Sequence, residues 1–215
     1  MSKDSLRITE IFYSLQGEGK TVGLPTTFIR LTGCPLRCGY CDTEYAFHGG
    51  EVRSIDEILV EVDGLGARYI NVTGGEPLAQ KRVHELMERL CDAGYQVSLE
   101  TSGALDVSEV DVRVTKVLDV KTPGSLEVDK NKHANYQYLT QNDQVKYVIC
   151  DVEDFHWSKE HMREHALNDK CEVLFSPVQG KLAATDLANW VLEEKLPVRF
   201  QIQLHKYLWG DVPGK

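Results

Sequence analysis

With 215 residues, 42 % of them hydrophobic and 27 % charged, the chain has the make-up of an ordinary globule. It reads as one domain over residues 1–215, long enough to bury roughly 70 % of its unfolded surface. A formal charge of −9 argues against nucleic-acid binding, which needs concentrated Lys and Arg, and favours a small-molecule partner. No apolar run nears the roughly 18 residues that span a bilayer, and Met1-Ser2-Lys3-Asp4 leads into alternation. Neither a membrane span nor a signal peptide is expected, and the cytoplasm is the expected location.

In chain order, β-rich runs fall at 6–13, 26–31, 68–72, 96–100, 115–120, 145–150, 172–175 and 199–204. Helical patterns separate several of them. Ser54-Ile-Asp-Glu57 has the form of a capping box that opens a helix to about residue 62. Residues 79–93 carry Val83, Leu86, Met87 and Leu90 at a helical period and stop at Gly94; 154–167 and 185–194 are further helix patterns. Strands alternating with helices mean βαβ units and a parallel sheet. Six or so such units fit an incomplete (β/α)6 barrel better than the eightfold one of about 250 residues, with a doubly wound sheet as the alternative. Residues 122–142, polar and without a period, are expected to form an irregular loop over one rim, either lid-like or a plain surface insertion.

Three cysteines crowd into Cys34-Pro-Leu-Arg-Cys38-Gly-Tyr-Cys41, a C-x3-C-x2-C spacing. Three thiolates on one tight loop hold three corners of an iron–sulfur cube and leave the fourth iron open to a small molecule. Zinc is the alternative, but it wants a fourth protein ligand, no second Cys-x2-Cys supplies one, and His48 is the nearest candidate. Cys91, Cys150 and Cys171 read as free thiols packing as small hydrophobes. Thr73-Gly-Gly-Glu-Pro77 follows the run 68–72, and its glycines permit close approach to the backbone while Glu76 can accept from an ammonium. The cysteine loop, this turn, Glu100-Thr-Ser-Gly103, Lys121, Ser176-Pro-Val-Gln179 and His205-Lys206 all stand at strand ends, where ligands gather in both folds.

Together these residues resemble the radical S-adenosylmethionine superfamily. The resemblance implies a [4Fe–4S] cluster on Cys34, Cys38 and Cys41, with S-adenosylmethionine gripped at its open iron and cleaved to methionine and a 5′-deoxyadenosyl radical. Tyr40, Cys41 and Asp42 would lie beside the adenine. Gly75 and Glu76, then Asp119, Val120 and Lys121, then Ser176, Pro177, Val178 and Gln179 would supply the remaining cosubstrate contacts. Leu118-Asp-Val-Lys-Thr-Pro-Gly124 departs from the Ser-Pro-Lys of some members, and Ser176-Pro-Val-Gln179 matches only by its proline and position.

A narrower likeness runs nearly end to end. Leu15-Gln-Gly-Glu-Gly19, Phe28-Ile-Arg-Leu-Thr-Gly-Cys34, Cys41-Asp-Thr43 and Gln203-Leu-His-Lys-Tyr-Leu208 are similar to the 7-carboxy-7-deazaguanine synthase family. That family implies conversion of 6-carboxy-5,6,7,8-tetrahydropterin to 7-carboxy-7-deazaguanine with loss of ammonia, in queuosine and 7-deazapurine biosynthesis. It also implies Mg²⁺, a homodimer and a low-potential donor such as a flavodoxin. Some members stop just after His-Lys-Tyr, whereas this sequence continues through Trp209-Gly-Asp-Val-Pro-Gly-Lys215.

The implied substrate contacts are Leu15, Gln16, Gly17, Glu18, Arg30, Thr73 and His205. Gln16 and Glu18 suit the guanine-like edge of a pterin, Arg30 suits its carboxylate, and the Thr43 hydroxyl suits a Mg²⁺ that keeps several waters. Hydrogen abstraction from C6 falls to the radical, and ammonia release needs proton transfer, for which His205 and Glu18 are the candidates. Plainer readings stand beside these: a polar turn for Gln16 and Glu18, half of a buried ion pair for Arg30, a rim histidine for His205, a surface hydroxyl for Thr43. Two rival functions also remain open, an activase of glycyl-radical enzymes and a non-enzymatic zinc-binding module.

Overall fold

The computed structural model describes residues 5–210 and 212–214. The stretch Met1-Ser2-Lys3-Asp4, where no signal peptide is expected, lies outside the described residues, as do Asp211 and Lys215.

A nine-stranded sheet in the order β3-β1-β2-β4-β5-β6-β7-β8-β9 organises the chain. β1 (Ser5–Leu15) and β2 (Pro25–Leu31) form an antiparallel hairpin, with β3 (Glu51–Ser54) antiparallel on the outer edge of β1. From β2 onward every pairing is parallel: β4 (Tyr69–Gly74), β5 (Gln96–Thr101), β6 (Thr115–Val120), β7 (Gln144–Ile149), β8 (Glu172–Pro177) and the two-residue β9 (Arg199–Phe200). Among the described residues no hydrogen-bonded pairing joins β9 back to β3. The result is an incomplete barrel of six full parallel strands, as the alternation in the sequence predicts.

Helices cover the outer face. Ser54 caps α1 (Ile55–Leu65) by accepting from the Glu57 amide while the Glu57 carboxylate accepts from the Ser54 amide, and Gly66 ends it at φ +69°. Ile55, Ile58 and Val62 are the buried stripe of α1, and Val83, Leu86, Met87 and Leu90 that of α2 (Val83–Asp92). α2 starts four residues later than periodicity suggests. Pro77–Ala79 is a 3₁₀ turn, and the Gln80 amide group is spent on the backbone of Arg7 and Thr32. α3 (Val152–Glu164) is capped by Asp151 and stops where Ala166 takes φ +48°, so the expected helix 154–167 is split between α3 and α4 (Leu167–Lys170). α5 (Ala184–Glu193) and α6 (Leu204–Trp209) follow. The expected strand 199–204 shrinks to β9 because Gln201 N donates to Phe175 O, after which Leu204 N donates to Gly17 O at 3.0 Å and turns the chain into α6.

Residues 122–142, expected as an irregular loop that is either lid-like or a plain surface insertion, are more ordered than either. They form three 3₁₀ turns, Pro123–Ser125, Val128–Lys130 and His133–Tyr138, with Thr122, Ser125 and Asn135 fully buried. Asp154 in α3 accepts from the Thr122 hydroxyl and the Gly124 amide, and Asn135 Nδ2 donates to Gly103 O and Leu105 O. A segment so fastened is part of the wall. Among the described residues no helix is long and apolar enough to cross a membrane.

Candidate active site

The carboxyl ends of β2 and β4 to β8 open into one cavity of about 320 Å³, the place where barrels of this kind bind ligands. Cys34, Cys38 and Cys41 line one end of it from the loop after β2, and all three thiols are free and half-buried. That loop is tied down on both sides. Gly33 N donates to Ala46 O, Glu76 N to Gly33 O at 2.8 Å and Gly39 N to Ser125 O, while the Arg37 guanidinium closes on Cys34 O and Leu36 O. Burial pushes all three thiols up, Cys38 to about 11, and Lys121 pulls them back in part. Metal binding therefore has to displace protons from them.

The two glycines of Thr73-Gly-Gly-Glu-Pro77 serve the scaffold first. Gly74 sits at φ +136°, and a Cβ there would stand 2.2 Å from Leu31 O; a Cβ on Gly75 would stand 2.2 Å from Gly33 O. Only bare backbone lets the end of β4 press against the base of the cysteine loop. Glu76 is fully buried and outside the cavity lining. Its carboxylate accepts from Leu78 N, from the Thr101 hydroxyl and from the amide and hydroxyl of Ser102. The structure thus spends it on joining β4 to β5 rather than leaving it for an ammonium.

Beside the cysteines, Tyr40 packs with Val148, Cys150 and Val178, and its hydroxyl donates to Val148 O at 3.3 Å. Tyr40, Val148 and Val178 give this end of the cavity an apolar floor. Asp119 and Lys121 face in, 3.0 Å apart, while the Val120 side chain belongs to the core on the helix side, as strand alternation requires. Of residues 176–179 only Val178 lines the cavity; Ser176, Pro177 and Gln179 do not.

The opposite wall comes from the β1–β2 connection and α6. Leu15, Gln16, Gly17 and Glu18 line it together with His205, Arg30 and Thr73. Gln16 and Glu18 are buried, with Gln16 N bonded to Leu24 O and Gln16 O accepting from Gly23 N. A Cβ on Gly17 would stand 2.1 Å from His205 Nδ1, so the glycine is what lets α6 seat its histidine against the connection. Burial holds His205 below the ordinary histidine value, partly offset by Glu18 and Asp42. Arg30 Nε donates to Glu10 Oε1 at 2.7 Å, the ion pair expected as the plainer reading, yet its two Nη groups make no hydrogen bond among the described residues and the side chain lines the cavity. The Thr43 hydroxyl donates to Asp42 Oδ1 at 2.7 Å; Asp42 Oδ2 meets Lys206 Nζ at 3.0 Å. Burial works against ionising Asp42, but Lys206 and the Thr43 hydroxyl outweigh it and hold the carboxyl well below the usual range.

One residue in this wall, Lys146, escapes the sequence reading, which marks Glu100 only by its place at a strand end. Lys146, in the middle of β7, is buried and reaches Glu18 Oε2 at 2.6 Å, Glu100 Oε2 at 3.3 Å and Asp119 Oδ2 at 3.6 Å. Burial pushes Glu100 up to about 7, against the pull of Lys146, with Glu18 and Asp119 adding to the rise. The available signal was a lysine inside Val145-Lys-Tyr-Val148, an apolar strand where a charge has to face a partner.

Residues 28–119 match the Radical SAM superfamily profile. A "7-carboxy-7-deazaguanine synthase" of Chlorobaculum tepidum is 44 % identical over 95 % of this chain and 94 % of its own length. One of Koribacter versatilis is 44 % identical over 95 % and 97 %. The chain belongs to the 7-carboxy-7-deazaguanine synthase family. A Methanospirillum hungatei protein of the same name is 38 % identical over 94 % of the chain and 85 % of its own length. Among solved structures, QueE from Escherichia coli superposes with a TM-score of 0.78 at 22 % identity, covering 94 % of this chain and 95 % of that one, which extends the likeness to the fold.

Membership of the superfamily implies a [4Fe–4S] cluster and S-adenosylmethionine. The donors present fit them. Three thiols share one loop, His48 is exposed and outside the cavity lining, and an apolar floor lies alongside. Glu18 Oε1 and Asn71 Oδ1, both in residues that line the cavity, are buried with no partner, which suits a further polar ligand.

Proposed function

We propose that the chain converts 6-carboxy-5,6,7,8-tetrahydropterin to 7-carboxy-7-deazaguanine with release of ammonia, in queuosine and 7-deazapurine biosynthesis. The observation that carries this reading is a single cavity with the three-cysteine loop at one end and Gln16, Glu18, Arg30 and His205 at the other. The curated relatives at 44 % identity support the same reaction.

Cys34, Cys38 and Cys41 would hold the cluster, and the Tyr40–Val148–Val178 floor would take the adenine of S-adenosylmethionine. Bound together, cluster and cosubstrate supply the radical that removes a hydrogen atom from the substrate. The chain's own residues position, exclude water and move protons. Gln16 and the unbonded Glu18 Oε1 read the amide-like edge of the pterin, and the free Nη groups of Arg30 meet its carboxylate. Thr43, beside Asp42, would offer its hydroxyl oxygen to a Mg²⁺, which would supply positive charge for that carboxylate. Glu100, poised near neutrality among Lys146, Glu18 and Asp119, carries the proton that leaves with the ammonia, and the neutral His205 holds the ring against the wall. Val212, Pro213 and Gly214 also line the cavity.

A cytoplasmic homodimer supplied by a low-potential donor such as a flavodoxin completes the proposal. The test is turnover under anaerobic conditions with S-adenosylmethionine kept limiting. Product in excess of cosubstrate supports a rearrangement that regenerates it; methionine and 5′-deoxyadenosine in step with product, or no product, speaks against the reading.

A further inference from the structure

Behind β7, on the side away from the cavity, three histidines converge. Lys146 and Val148 line the cavity, so Tyr147 between them faces the helix layer. There its hydroxyl lies 2.8 Å from His161 Nδ1 in α3. His165, one helical turn on, stands on the same face of the chain leaving α3. His133, from the 3₁₀ turn His133–Tyr138, completes the group. One ring nitrogen from each of the three lies within 4.8 Å of the others. Ring centroids are 4.7 Å apart for His133 and His165, 4.6 Å for His161 and His165, and 5.3 Å for His133 and His161.

We propose that His133, His161 and His165 form a binding site for a divalent transition cation of the Zn²⁺ class, separate from the catalytic cavity. The ligand set is right in type: three imidazoles with a water in the fourth position is an established way to hold Zn²⁺. The second shell is in place as well. Tyr147 Oη, fully buried, is hydrogen-bonded to His161 Nδ1 and anchors that ring beside the other two. His161 Nε2 has a long 3.3 Å contact with Tyr136 Oη, one a metal can displace. Trp157 stacks on His161 at 4.6 Å and holds its plane.

Imidazole nitrogens around Zn²⁺ at ~2.0–2.1 Å stand roughly 3.4 Å apart, so the rings need to close by about 1 Å. His133 is exposed and His165 half-exposed, so both are free to rotate against the fixed His161. Such an ion would fasten residues 122–142 to α3. The same segment holds Lys121 through Asn131, whose side chain bonds both the amide and the carbonyl of that cavity residue.

The experiment is calorimetric titration of Zn²⁺ into the full chain loaded anaerobically with its cluster, so that Cys34, Cys38 and Cys41 are already engaged. Wild type is compared with His133→Ala and with His165→Gln, both at accessible positions that leave the core intact. The expected result is one Zn²⁺ per chain with at least tenfold weaker binding in each variant, and a melting temperature raised by Zn²⁺ in wild type only. No binding by wild type, or binding unchanged in both variants, would overturn the site. Neither result depends on which reaction the cavity performs.

Discussion

Lys146 Nζ lies 2.6 Å from Glu18 Oε2, a contact that spans 128 positions of sequence and fastens the β1–β2 connection to the middle of β7. Both side chains are at most 10 % exposed. With Glu100 and Asp119 also within reach of the same ammonium, one buried cation holds three carboxylates from three different strand ends. That cation offsets their repulsion in a low-dielectric wall, with Lys121 sharing Asp119.

Lys146→Met should therefore destabilise the chain by about 3–5 kcal/mol at pH 7, the usual cost of stranding buried charge. The loss should shrink toward pH 5, because the freed carboxylates take up protons in the folded state and the native chain then binds more protons than the unfolded one. Denaturant unfolding of both proteins across this range checks it. An equal deficit at both pH values would refute the charge account.

Glu100 has its carboxyl raised from 4.5 to about 7, so the folded state holds this proton more tightly than the unfolded state. Its contribution to stability is present at low pH and is lost as pH rises from about 4.5 to about 7. Glu100→Gln should flatten that part of the stability profile. It should also cut turnover by ~10²-fold or more, the usual worth of a positioned proton carrier, while cluster content stays normal. A variant with full turnover would remove Glu100 from the proton path.

Glu76→Gln puts an amide where four donors converge, so one N–H faces N–H or O–H. A stability loss of about 1–3 kcal/mol is expected, along with reduced cluster retention because the turn beneath the cysteine loop loosens. If stability is unchanged, Glu76 is instead a spare acceptor for ligand, and weakened S-adenosylmethionine binding should be the larger effect.

Gly75→Ala tests the close approach of β4 to the cysteine loop. A methyl 2.2 Å from Gly33 O cannot be accommodated without backbone movement. Iron bound per chain after reconstitution should fall several-fold, with the far-ultraviolet dichroism of the barrel retained. Full iron content would show that the two backbones are free to separate.

Much of this is legible in the sequence. The parallel strands from β2 to β8 follow from apolar β-rich runs separated by helical periods, and α1 is announced by its capping box at Ser54 and Glu57. The cysteine spacing and the strand-end positions of Thr73 and Lys121 mark the cavity, and His205 reaches it from α6. What escaped was set by tertiary partners. The polar composition of 122–142 suggests an irregular loop, lid-like or a plain surface insertion, but Asp154 bonds its backbone and Asn135 fastens it to Gly103. The expected strand 199–204 gives way to a helix because Gly17 O captures the Leu204 amide. Glu76 looked available for a ligand, yet Thr101 and Ser102, 25 and 26 residues away, consume it. Lys146 went unnoticed because its partners are supplied from Glu18, Glu100 and Asp119, a combination that only closure of the barrel creates.

Whether the cysteine loop and the Gln16–Glu18 wall act on one substrate is decided most directly by mass spectrometry of an anaerobic reaction. The cluster-reconstituted chain is supplied with 6-carboxy-5,6,7,8-tetrahydropterin, S-adenosylmethionine, Mg²⁺ and a low-potential reductant, alongside its Cys38→Ala variant. Formation of 7-carboxy-7-deazaguanine by the wild type and none by Cys38→Ala is the expected result. Methionine and 5′-deoxyadenosine without any deazapurine would contradict it, leaving the radical machinery in place with a different substrate in the cavity.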